Sequence, residues 1–157
     1  MARVYLKGLP QLKAKLVRMR TETIDQVRAA MERAAGEITG MMRRLVPVHD
    51  GDLRDSIGWT WGEAPKGSVK VSHKIGTHTI TIFAGNETAF YARWVEFGTR
   101  AHNVAKGSKK KSWTGTPIAH PGAAARPFFY VSYRAQKKQA KLMIRRAITS
   151  AVQKAIR

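Results

Sequence analysis

Five histidines, His49, His73, His78, His102 and His120, are the chain's best candidates for transition-metal ligands, because it contains no cysteine. A helical zinc pair needs two histidines four residues apart, and no two here have that spacing. None has a carboxylate at ligand spacing either, and His73 and His78, flanking a turn signal, read as surface residues. Asp50, Asp52 and Asp55 fall in His49-Asp50-Gly51-Asp52-Leu53-Arg54-Asp55, which superficially resembles a calcium loop. The register fails, with Gly51 and Arg54 in the wrong places and no closing glutamate, so Asp50 and Asp52 read as turn formers. There is no phosphate-cradling glycine loop, no G-x-S-x-G and no nucleophile–base pair. These side chains predict no enzyme, no metal site and no cofactor.

The remaining chemistry is charge. In 157 residues, 29 Lys and Arg stand against 10 Asp and Glu, giving a net charge of +19. Glu96 is the last acid, so the 14 basic residues of 97–157 have no acidic neighbours in sequence. Helices kept soluble by charge usually mix signs three or four residues apart. Here Arg134, Lys138, Lys141 and Arg145 recur at 4-3-4 spacing and share one helix side. With Lys109-Lys110-Lys111 they point to nucleic acid or an acidic protein surface; a solvated basic face is the plain alternative.

These groups must be carried by a fold, and the length suits a single domain over 1–157. Leu9, Leu12 and Leu16 predict a short helix over 11–19 after the Gly8-Leu9-Pro10 turn. Thr23 with Gln26 fits a capping box opening a second helix. Ile24, Val27, Met31, Ala34, Ile38, Met41 and Leu45 then step 3-4-3-4-3-4 until Pro47. Gly36 and Gly40 on that helix imply a close backbone approach, a bend or tolerated chance.

The period then changes to two, predicting strands at 55–62, 68–75 and 78–84 in an antiparallel meander. Residues 88–98 suit a short helix closed by Gly98. Residues 99–126 read as a long basic loop in which Trp113 and Ile118 are the sizeable apolar anchors, expected to meet a neighbouring subunit. From Phe128 onward no Gly or Pro interrupts a terminal helix with an apolar stripe at Leu142, Ile148, Ala151, Val152, Ala155 and Ile156. The fold class is α+β, with long N- and C-terminal helices packed on a small sheet. No apolar run reaches membrane-spanning length, and the opening residues carry no secretory signal, so folding in a cytoplasm is expected.

Three segments together carry a family resemblance. Leu45-Val46-Pro47-Val48-His49-Asp50-Gly51-Asp52-Leu53-Arg54-Asp55-Ser56-Ile57 resembles a helix–sheet junction, Tyr91-Ala92-Arg93-Trp94-Val95-Glu96-Phe97-Gly98-Thr99 a "VEFGT" box, and Ala125-Arg126-Pro127-Phe128-Phe129 the start of a last helix. In this order they are similar to the lambda-type tail-completion, or neck, proteins of long-tailed double-stranded DNA bacteriophages. Phe129 and Tyr130 to Ser132 depart from that pattern. Pro47, Gly51, Leu53, Ser56, Tyr91, Trp94, Glu96, Phe97, Gly98, Arg126, Pro127 and Phe128 are the structural positions the resemblance marks. Glu96 has three open readings: a pair with Arg93, a pair with Arg126, or a surface helix acid.

The resemblance implies a structural virion protein at the head–tail junction, assembled in the host cytoplasm. It implies a ring of copies, six by tail symmetry, between the head-closure protein and the tail terminator or tail tube. Double-stranded DNA would pass through the ring without sequence readout, and no membrane is involved. The alternatives are the tail terminator itself or a stand-alone, sequence-independent nucleic-acid-binding protein.

Overall fold

The computed structural model describes residues 8–103 and 119–156. Lys109, Lys110, Lys111, Trp113 and Ile118 lie outside the described residues. The chain groups into two compact units, one built from helix α1 (Leu9–Leu45) up to Ala35 with helix α4 (Phe129–Ile156) from Gln136, the other from Gly36–Ala135.

Helix α1 runs unbroken over Leu9–Leu45, where the sequence predicts two helices. No glycine or proline interrupts residues 11–35. Arg18 pairs with Glu22 at 2.7 Å across one turn, and the Thr21 hydroxyl donates back to the Val17 carbonyl at 3.2 Å. Thr23 therefore sits inside the helix and caps nothing. Pro10 falls in the first turn, where its missing N–H costs no bond, and the helix stops two residues before Pro47 as predicted. A Cβ built on Gly36 or Gly40 meets nothing within 4 Å, so neither glycine serves a close approach.

In the first unit, burial on α1 is confined to Ala30, Met31, Ala34 and Ala35, with Ala151 on α4. Leu9, Leu12, Leu16 and Val17 are exposed. So are Leu142, Ile148 and Val152 of the C-terminal stripe, which leaves Ala151 as its buried member among the residues whose burial is described.

The second unit holds α2 (Asp52–Asp55), β1 (Gly58–Trp61), β2 (Val69–Ile75), β3 (His78–Ala84) and α3 (Ala92–Phe97). The three strands are antiparallel neighbours in the order β1-β3-β2, so β3 lies between the two and β1 does not pair with β2 as a consecutive meander would. Two features fit that order. β3 is the most apolar strand, with Ile80, Thr81, Ile82 and Ala84 buried, and the 62–68 connection is long enough to leave its neighbour's place open. Thr81 satisfies its buried hydroxyl by donating to the Gly62 carbonyl at 2.6 Å, with the Ser72 hydroxyl 2.9 Å away. Ile38, Met42, Val46, Leu53, Ile57, Val69, Ala89, Ala92, Phe128 and Phe129 complete the buried apolar set of this unit.

The stretch read as a loop over 99–126 has structure at both described ends. β4 (His102–Asn103) pairs antiparallel with β5 (Ala119–His120). Thr99 and Ala123 exchange both backbone hydrogen bonds, at 2.9 and 3.1 Å. Gly98, at φ 71°, makes this closure possible: a Cβ there would lie 2.6 Å from the Ala123 carbonyl oxygen and 2.8 Å from the Ala125 nitrogen. Helix α4 (Phe129–Ile156) follows without a break.

Candidate functional site

The three segments singled out in the sequence meet in the second unit. α3 is short, yet both its neighbours are tied to it through the backbone and one carboxylate. Glu96, only 3% exposed, turns inward and accepts the Phe128 and Phe129 N–H groups on Oε2 at 2.8 Å each and the Tyr130 N–H on Oε1 at 3.0 Å. The first N–H groups of a helix have no partner in their own ladder, and a carboxylate there also meets the positive end of the helix dipole. Glu96 thus caps α4 from another helix and pairs with neither Arg93 nor Arg126. The Arg126 N–H donates to the Val95 carbonyl at 2.8 Å, fixing the approach of the chain to that cap.

The junction segment is held just as closely. The buried Ser56 hydroxyl donates to the Leu53 carbonyl at 2.7 Å and accepts the Gly85 N–H at 3.0 Å, joining α2 to the end of β3. Gly85 has φ 96°, and a Cβ there would sit 2.9 Å from both the Ala89 carbonyl and the Ala92 methyl. Arg43 reaches across from α1 to donate to the Ile57 carbonyl at 2.5 Å. Partial burial raises the Tyr91 phenol above its ordinary pKa, and the Asp50 and Asp52 carboxylates push it the same way.

Between these segments lies a pocket of about 200 Å³. Pro47, Val48, Asp50, Tyr91, Val95 and Arg126 are among its walls, so all three segments contribute to it. Its residues offer one phenol, the His49 imidazole, a carboxylate and guanidinium groups. Among the described residues, no group of three histidines or acids could hold a metal ion.

Outside the pocket the surface is apolar in places and basic in others. Phe90 and Trp94 stack edge to face with centroids 5.4 Å apart, and Phe97 lies 5.8 Å from Tyr130. All three of Phe90, Trp94 and Phe97 are more than half exposed. Arg134 is exposed in the second unit, and Lys138, Lys141 and Arg145 are exposed in the first. No described helix is long and apolar enough to cross a membrane.

Residues 11–98 match the family model described as "Bacteriophage HK97-gp10, putative tail-component". The match spans α1 from Gln11 onward, the junction, the three-stranded sheet and the whole of α3. This chain belongs to the HK97-gp10-like family. Membership makes it a phage tail-associated structural protein, a virion component that assembles with other phage structural proteins. No curated protein and no solved structure matches it significantly.

The HK97-gp10-like match ends at Gly98, yet Glu96 inside it depends on residues 128–130 beyond it. The cap is the functional contact that sequence reasoning missed. Its signal was present: Arg126-Pro127-Phe128-Phe129 opens a helix with no Ser, Thr, Asp or Asn to cap it. Glu96 is also the nearest acid in an otherwise basic half-chain.

Proposed function

We propose that this HK97-gp10-like chain is a neck protein, similar to the lambda-type tail-completion proteins. It forms a ring, six copies by tail symmetry, between the head-closure protein and the tail terminator or tail tube. The observation that carries this reading is the convergence of the three tail-completion segments on one pocket and one cap, Glu96 on α4. That cap ties the family-matched part of the chain to the acid-free α4, whose Arg134, Lys138, Lys141 and Arg145 are exposed. Multiplied round a ring, these cations form a collar for double-stranded DNA. Contact with phosphates reads no sequence, which suits a passage for a whole genome. Lys109, Lys110, Lys111, Trp113 and Ile118 meet a neighbouring subunit in the same assembly.

An amber mutant in this reading frame tests the proposal. Full heads and complete-length tails should accumulate unjoined, and purified protein added to the extract should join them. Tails of abnormal length would favour the tail terminator instead. Joined particles with a normal yield would refute both virion roles.

A further inference from the structure

The first unit contains an open groove of about 350 Å³ where α1 meets α4. Leu142, Met143 and Ala147 give it an apolar floor, and Arg33 and Arg146 stand on its walls. Neither guanidinium has an ion-pair partner among the described residues, and α4 from Gln136 onward has no acid to provide one. A bare phosphate surface needs the cations but not the floor. The floor calls for an apolar side chain flanked by negative charge.

The chain carries that complement itself. In the second unit Val48 is 58% exposed, and Asp50 and Asp52 stand exposed within four residues of it. Neither carboxylate has a cation partner among the described residues, since Arg54 pairs with Asp55 at 3.6 Å. We propose that the Val48–Asp52 turn of one copy docks into the Arg33–Arg146 groove of the next, as the head-to-tail contact between subunits. Val48 covers the floor while Asp50 and Asp52 face the two guanidinium groups. The two surfaces differ, so the contact is heterologous and propagates until it closes into a ring or extends as a filament. The ring in the neck reading rests on such a contact, whereas the contact itself does not depend on where in the virion the protein sits.

The absence of cysteine makes a direct test possible. Ser150 lines the groove, so a Val48→Cys, Ser150→Cys double variant of the full chain is oxidised with diamide and run on a non-reducing gel. A ladder of dimer, trimer and higher bands is expected. An equimolar mixture of the two single variants should stop at dimer, and neither single variant alone should cross-link. Arg33→Glu with Arg146→Glu should lower the cross-linked fraction at least tenfold, and adding Asp50→Lys with Asp52→Lys should restore it, with circular dichroism confirming that each variant is folded. A monomer band alone, homotypic cross-linking or an unchanged ladder after charge reversal would overturn the contact. Loss of duplex DNA binding in the Arg33 and Arg146 variant with the ladder intact would make the groove a phosphate site instead. The gel uses purified protein, so its outcome is separate from that of the head–tail joining assay.

Discussion

Glu96 and Phe129 lie 33 residues apart in sequence, yet the Glu96 Oε2 accepts the Phe129 N–H at 2.8 Å in a buried site. The same oxygen takes the Phe128 N–H, so one carboxylate fixes where α4 begins. Removing it leaves three donors unsatisfied, at least two of them in buried surroundings. Glu96→Ala is expected to cost about 3 kcal/mol, since hydrogen bonds to a charged group are worth roughly 1.5–3 kcal/mol each and are not additive. Glu96→Gln keeps one acceptor and should cost about half as much. Chemical denaturation measures both, and a loss below about 0.5 kcal/mol for the alanine variant contradicts the capping role.

Two glycine substitutions should act in opposite directions. Gly98→Ala places a methyl within 2.8 Å of backbone atoms at Ala123 and Ala125, at a positive φ. It should destabilise the protein by about 2 kcal/mol or more and loosen the Thr99–Ala123 closure. Gly36→Ala meets open space in a helix and should stabilise by roughly 0.5–1 kcal/mol. Paired thermal melts are the check, and shifts of the same sign would refute the assignment.

Tyr91 predicts a pH dependence on the alkaline side. Its phenol is raised above the ordinary value of 10.0 by partial burial and then by Asp50 and Asp52. The unfolded chain therefore loses this proton first as pH rises. The stabilisation is complete below about pH 10 and is lost as pH climbs through the folded-state value. Absorbance titration should show one tyrosine ionising late, and Tyr91→Phe should remove that step. A wild-type titration in which every tyrosine ionises at its ordinary value would contradict the local geometry.

Reversing Arg134, Lys138, Lys141 and Arg145 together to Glu separates a DNA-facing collar from a solvated face. All four are exposed, so the change should leave the melting temperature within a few degrees of wild type. Complementation with this variant should reduce plaque yield and DNA retention at least tenfold. Normal values for both would show that the stripe only solubilises the helix.

Much of the fold was legible because its signals are local. The Met31, Ala34 and Ile38 stripe, the stop before Pro47, the strand positions and the Gly98 cap all follow from period and turn chemistry. Long-range choices were not legible in that way. Thr23 looks like a cap, but the uninterrupted residues around it favour continuing the helix. Which strand lies between the other two depends on which buries most, and Ile80 and Ile82 decide that only in three dimensions. Thr99 pairs with Ala123 across a stretch whose composition reads as loop. The bond from Glu96 to Phe129 has no periodic trace at all. Leu142, Ile148 and Val152 show the converse limit: an apolar stripe reports a surface to be covered, not that the same chain covers it.

The central claim is a place in the virion, and cryo-electron microscopy of intact particles addresses it most directly. A ring of this chain is expected at the head–tail junction, with α4 lining the DNA passage and the Val48–Asp52 turn of each copy against the next copy's Arg33 and Arg146. Density for this chain along the tail tube or at the tail tip, with none at the junction, would contradict it.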